Sequence, residues 1–242
     1  MRRVVVVGAR GRMGAVVAAG VREAPDLDLA AEVDLGDDLA AVVARRRPDV
    51  AVDFTTPGAV LENARTVLEG GAHAVVGTTG LGEAELGSLD ALARARGRTC
   101  LVAPNFAIGA ILAMRFAEEA ARHLPRVEII ERHHEGKLDA PSGTARLTAE
   151  RVAAARRDVR EQPAGEESAP GARGGRVAGV PVHSLRLPGS VAHQEVWLGG
   201  PGETLVLRHD VVDRRAFVPG VLLALRGVGA APGLVRGIEG LL

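Results

Sequence analysis

Between residues 1 and about 105, short apolar runs alternate with stretches whose apolar positions recur at three-and-four spacing. The runs fall at 4–7, 27–33, 50–54, 72–76 and 99–102. A strand exposed on one face shows alternation, whereas a strand covered on both faces is apolar almost throughout. Continuous runs separated by helical patterns therefore predict parallel strands between two helical layers, a doubly wound α/β unit.

The texture changes after Asn105. AIGAILAMRFAEEAARHL (107–124) has the spacing of an amphipathic helix. VEIIERHH (127–134), VPVHSLRL (180–187), AHQEVWLG (192–199) and ETLVLRHD (203–210) follow as strands, the last alternating in the manner of a sheet with one covered face. The prediction is a Rossmann-like doubly wound parallel sheet over residues 1–106, and an α+β domain with a four-stranded mixed sheet over 107–212. REQPAGEESAPGARGG (160–175) reads as a surface loop. The apolar tail 218–242 reads as helical with a break at Pro232 and Gly233, and the segment 213–242 can fold back on the first domain. No internal repeat is apparent.

Composition narrows the function classes. Hydrophobic residues make up 47% of the 242, but aromatics only 2%, with no tyrosine and one tryptophan, so the core is aliphatic. Thirty acidic residues balance thirty basic ones, which argues against nucleic acid or an anionic membrane as partner. One cysteine excludes an internal disulfide framework and fits a reducing compartment. The N-terminal apolar run is too short for a signal peptide, which needs about 7–15 such residues, and nothing approaches the ~18 of a membrane span. The expectation is a soluble, cytoplasmic protein.

The first strand runs into Gly8, Ala9, Arg10, Gly11, Arg12, Met13 and Gly14, and then into an Ala/Val-rich helix. Glycines there allow a tight turn and close backbone approach to a pyrophosphate, which the helix N-terminus attracts. The spacing is G-x-x-G-x-x-G, not the usual G-x-G-x-x-G, and gains weight from Asp34 at the end of the second strand, placed to accept from ribose hydroxyls. Asp34 favours NADH; Arg10 and Arg12 can admit the extra phosphate of NADPH, and the choice stays open. Gly77, Thr78 and Thr79 after one strand, and Ala103, Pro104, Asn105 and Phe106 after another, would sit at the same sheet end and could hold the nicotinamide half.

The densest chemistry is HHEGKLDAPSGTA (133–145), which holds the only lysine among 30 basic residues. Ser142 is the expected N-cap of a helix reaching about residue 157, leaving the Gly143 and Thr144 amides for an anion. Three readings compete. A metal site would use His133 and His134 with Glu135 or Asp139, but adjacent histidines are poor spacing for one ion. A strand end with solvated charges is commoner in general. An active site, with a histidine handling protons and a lysine serving a carboxylate-bearing substrate, is favoured by the lone Lys137: lysine can lose a proton, arginine cannot.

GARGRMG, VDFTTP, VVGTTG, APNFAIGA and ERHHEGKLDAPSGTA together resemble the 4-hydroxy-tetrahydrodipicolinate reductase (dihydrodipicolinate reductase) family of the diaminopimelate–lysine pathway, in the family's order and across the chain. The resemblance implies an NADH- or NADPH-dependent reductase with no metal, acting on a small dicarboxylate and assembled as a homotetramer through the sheets of its second domain. It implies His133 as proton donor and acceptor and Lys137 as second proton donor. It further implies His134, Gly143 and Thr144 as substrate contacts, and Gly8 to Met13, Asp34, Gly77 to Thr79 and Ala103 to Phe106 as dinucleotide contacts. It also returns the tail to the first domain. A related imine or semialdehyde reductase and a non-catalytic dinucleotide sensor are the alternatives, and the sensor would need no proton donors.

Overall fold

The computed structural model describes residues 1–156 and 167–242. In chain order the first elements are β1 (Arg2–Val7), α1 (Arg12–Glu23), β2 (Leu27–Val33), α2 (Leu39–Arg46), β3 (Val50–Asp53), α3 (Val60–Glu69), β4 (His73–Val76), α4 (Glu83–Ala95) and β5 (Thr99–Val102). Next come α5 (Ile108–Ala120), β6 (Arg126–His133), α6 (Gly143–Ala155), β7 (Gly175–Val177), β8 (Val180–Arg186), β9 (Ala192–Gly200) and β10 (Glu203–Val211). The chain finishes with a short helical turn (Arg214–Phe217), α7 (Val218–Gly227), β11 (Gly233–Arg236) and a second short helical turn (Glu239–Leu241). It divides into two compact units, Met1–Ala107 with Arg214–Leu242, and Ile108–Asp213.

The first unit holds a parallel sheet in the order β11-β5-β4-β3-β1-β2. Val4, Val5 and Val6 are fully buried, which is why their run does not alternate. Burying each such side chain contributes roughly 1.5–3 kcal/mol. The chain goes to one side of β1 for β2 and to the other for β3, so the order reverses between β1 and β3. In open α/β sheets that point is where ligands bind, beyond the strands' carboxyl ends.

Two expectations need correcting. The tail does not resume as a helix at Gly233: Leu234 and Val235 pair in parallel with Cys100 and Leu101, adding β11 as a sixth strand beside β5, and only a short helical turn at Glu239–Leu241 follows it. Gly233, at φ +113°, turns the backbone into that register, a conformation that side chains rarely adopt. Cys100, on the strand so covered, is completely buried.

The second sheet has five strands, not four, in the order β10-β9-β6-β8-β7. The extra strand is Gly175–Val177, of which only Gly175 falls in the expected loop 160–175; it turns back on β8 through Ala178 and Gly179, both at positive φ. Residues 160–166 of that loop lie outside the described residues. β6 is central, parallel to β8 and antiparallel to β9, so the sheet is mixed. Helices α5 and α6 cover one face, packing Ala117, Ala145, Ala149 and Val152 on Val127, Ile129, Val182 and Val196. The alternation of β10 is buried only in part, because β10 is an edge strand: Leu205 and Val206 remain nearly 40% exposed. Among the described residues no helix is long and apolar enough to cross a membrane.

Candidate active site

In the first unit, backbone hydrogen bonds set the strand ends side by side. Phe54 N–H donates to the Val7 carbonyl, Gly77 N–H to Asp53 and Ala103 N–H to Val76, at 2.9–3.0 Å. The turns carrying Gly8 to Met13, Gly77 to Thr79 and Ala103 to Phe106 are thereby gathered at one end of the sheet. Gly8, at φ +81°, begins the turn, and a Cβ there would lie 2.5 Å from the Phe54 carbonyl oxygen. A Cβ on Gly14 would lie 2.0 Å from the Gly8 carbonyl oxygen, so helix and turn meet backbone to backbone. The α1 N-cap, Gly11, brings no side chain to the helix start.

Asp34 belongs to the same cluster. Its carboxylate accepts from Arg10 N–H at 2.6 Å and from Leu35 N–H at 2.8 Å, and these two bonds, the Arg10 bond first, hold it below the usual carboxylate range. The sequence reading singled out neither Asp53 nor Phe54. Asp53, almost wholly buried, accepts from Thr55 N–H and Oγ1, Asn63 Nδ2 and Thr78 Oγ1, so one carboxylate ties together the turns after β3 and β4. The ring of Phe54 packs edge-on against Phe106 with centroids 5.8 Å apart. It fills the space a side chain at Gly77 would need, at 2.2 Å. An acid ending an otherwise apolar strand was the available signal for Asp53.

In the second unit β6 ends at His133, so His134 stands outside the strand and the two imidazoles need not point apart. Positions 127, 129, 131 and 133 share one face of the strand. Val127 and Ile129 pack under the helices, and Glu131, with no exposed surface, continues their line. Its carboxylate receives a forked pair of bonds from Arg186, at 2.9 and 3.0 Å, and lies 2.5 Å from His133 Nδ1. Burial pushes this carboxyl up, but the bonds from His133, Arg186 and Ser184 outweigh it and hold it down to about 2.

Ser142 caps α6 as the sequence predicts, its Oγ accepting from Ala145 N–H at 3.2 Å, while its own N–H donates to Glu131. The helix therefore begins with Gly143 and Thr144 beside Glu131, offering amides and the positive end of its dipole. Lys137 follows a tight turn closed by its N–H to the His134 carbonyl, and its ammonium sits on Asp139, at 2.7 and 2.9 Å. Burial raises the Asp139 carboxyl, but Lys137 outweighs it and brings the net below the usual range. Asp139 is thus engaged by an ammonium, and among the described residues no group of three or more His, Cys, Asp or Glu could hold a metal ion. Glu131 and Arg186 are the residues that sequence reasoning missed here.

Two family profiles match the chain. The one described as Dihydrodipicolinate reductase, N-terminus, covers residues 2–106, and the one described as Dihydrodipicolinate reductase, C-terminus, covers 109–242. A protein of Mycobacterium sp. (strain KMS) named 4-hydroxy-tetrahydrodipicolinate reductase is 52% identical over 242 residues, covering 99% of this chain and 98% of the relative. One of the same name from Moorella thermoacetica is 48% identical, with 99% and 97% covered. Among solved structures, a dipicolinate-bound dihydrodipicolinate reductase from Paenisporosarcina sp. TG-14 superposes with a TM-score of 0.88 at 38% identity, covering both chains completely.

Proposed function

The chain belongs to the dihydrodipicolinate reductase family, and from that premise we propose that His133 and Lys137 are the proton-handling residues of its reaction. The enzyme is an NAD(P)H-dependent oxidoreductase that reduces 4-hydroxy-tetrahydrodipicolinate to tetrahydrodipicolinate with loss of water, in lysine biosynthesis through diaminopimelate. The residues of the first unit fit the dinucleotide. The turn has no room for side chains at Gly8 and Gly14 and is tight at Gly11, the helix start is uncapped by any, and Asp34 is held as an anion beside Arg10. We assign Gly8 to Met13, Asp34, Gly77 to Thr79 and Ala103 to Phe106 to that role.

When bound, the dihydronicotinamide supplies the hydride. Net reaction also consumes one proton for each water lost, so the second unit must deliver a proton. His133 is suited to this because an imidazole nitrogen can both give and take a proton. Lys137 serves as the second donor, and Asp139 holds its ammonium in place. The substrate carries two carboxylates. The α6 start at Gly143 and Thr144 attracts one of them, and His134 contacts it as well. The single observation that carries this reading is the join made by Glu131, which places His133 and the start of α6 on one buried carboxylate.

We also place the enzyme in the cytoplasm, where its free Cys100 stays reduced, and propose a homotetramer assembled through the second sheet. Support comes from the face of that sheet opposite its helices. Trp197 is 42% exposed there, beside a concavity of about 780 Å³ that Trp197, Ile130 and Pro181 help to line. None of the proposed site residues lines it.

The test is loss of NAD(P)H absorbance on mixing with freshly made condensation product of pyruvate and aspartate semialdehyde. His133→Gln should lower kcat by about 10²–10⁴-fold, the usual worth of general acid–base catalysis. His134→Gln should chiefly raise KM, because a binding contact acts on ground and transition states alike. Equal losses of kcat in both variants would remove the division of labour.

A further inference from the structure

On the reading that His133 exchanges the reaction's proton, we propose that the pair of buried Glu131 and partly buried Arg186 is the positioning element of the site. It holds His133 as its Nδ1–H tautomer, leaves Nε2 as the nitrogen that gives and takes the proton, and fixes the Lys137 turn in the same frame.

The bonding of one carboxylate carries the argument. Glu131 Oε1 accepts from Arg186 at 2.9 Å and from Ser142 N–H at 3.2 Å. Oε2 accepts from Arg186 at 3.0 Å and lies 2.5 Å from His133 Nδ1. A carboxylate that receives an arginine fork is ionised and can only accept. The hydrogen in the contact with His133 therefore belongs to Nδ1, and in the neutral ring Nε2 is bare.

An ion pair with a buried carboxylate is weak support for a purely stabilising role, because desolvation offsets its attraction. This pair is distinguished by where its other bonds go. Arg186 donates from Nε to the Lys137 carbonyl at 3.2 Å and from its terminal nitrogen to the Asp139 carbonyl at 2.5 Å. Both belong to the turn that presents the Lys137 ammonium. Through Ser142 the same carboxylate reaches the start of α6. The end of β6, the lysine turn and the helix start, three successive segments of the chain, thus share one ionic hub on β6 and β8. Neither Glu131 nor Arg186 is assigned contact with substrate: they act through the residues they hold.

The experiment is nitrogen NMR on the full-length enzyme labelled at histidine, with His133 identified by the resonances missing from His133→Gln. Neutral His133 should carry its proton on Nδ1; a proton on Nε2 overturns the proposal. Glu131→Gln should lose the Nδ1 preference and drop kcat by roughly 10–100-fold, the loss typical of removing the partner that orients a ring nitrogen. Dinucleotide affinity should stay within about twofold, since no residue of that unit is touched. Wild-type kcat in Glu131→Gln overturns the proposal, as does a lowered kcat with the tautomer unchanged, the signature of a structural role. If Glu131→Gln does not fold, Glu131→Gln/Arg186→Met removes both charges together and faces the same two readouts. His133→Gln separates the layers: retained kcat there removes the proton-exchange reading, while the wild-type tautomer still decides whether Glu131 sets the ring.

Discussion

Lys137 is the only lysine in the chain, and its ammonium rests on Asp139 in a turn that Arg186 braces. Lys137→Ala should lower kcat at least tenfold and leave dinucleotide affinity unchanged; steady-state kinetics beside a cofactor titration of the same variant check it. Unchanged kcat and KM would free Lys137 from any role. Residues such as Lys137, His133 and Asp34 were legible because their types are rare or out of place where they stand. A lone lysine among arginines, a histidine pair at a strand end and an acid beyond a glycine turn each break a local pattern. Glu131 and Arg186 were not, because by type both read as surface charges, and only their pairing in space explains the burial of Glu131. The signal was present: with Val127 and Ile129 inward, period-two counting puts Glu131 inward too. A buried carboxylate demands a cation, but the sequence did not say which of its arginines would come.

At the scale of elements, the dinucleotide turn depends on two backbones meeting where no Cβ fits. Gly14→Ala would set its new methyl 2.0 Å from the Gly8 carbonyl, so α1 must move off the turn. It should destabilise the protein by about 1–3 kcal/mol, as overpacking does, and weaken dinucleotide binding more than tenfold. Denaturant melts and calorimetric titration test the two effects; wild-type affinity would show that the turn makes no close approach to the ligand. The long strands and their helices were readable because burial on both faces writes continuous apolar runs. β7 and β11 were not readable. They are three and four residues long, begin with glycine, and owe their pairing to an open neighbouring strand and not to their own pattern. A sheet can recruit a segment that its sequence leaves undecided.

For the whole molecule, the notable feature is a first unit built from both ends of the chain. Residues from Arg214 onward return to it, with α7 against α1 and β11 completing the sheet. Contiguous sequence cannot show this by pattern alone, since the returning segment looks like any apolar tail. Assembly is the second property at this scale. Trp197→Asp places a charge on the face proposed to join subunits, where a tryptophan is a common energetic centre. Sedimentation velocity should show a tetramer for the wild type and smaller species for the variant; an unchanged tetramer would move the interface elsewhere.

The burial of Cys100 turns the tail's return into something a reagent can time. The thiol lies on β5 beside β11, is completely shielded, and burial pushes its pKa up to about 12. Since thiolate and not thiol is the nucleophile, labelling must wait for the sheet to open. Trp197 is the sole tryptophan and there is no tyrosine, so intrinsic fluorescence reports the second unit alone. The chain thus carries one chemical clock and one optical probe, each confined to a different unit. Under increasing urea, the labelling rate of Cys100 and the emission of Trp197 should change at one midpoint if the units unfold together. Two midpoints would mean that the unit closed by the tail opens independently of its neighbour.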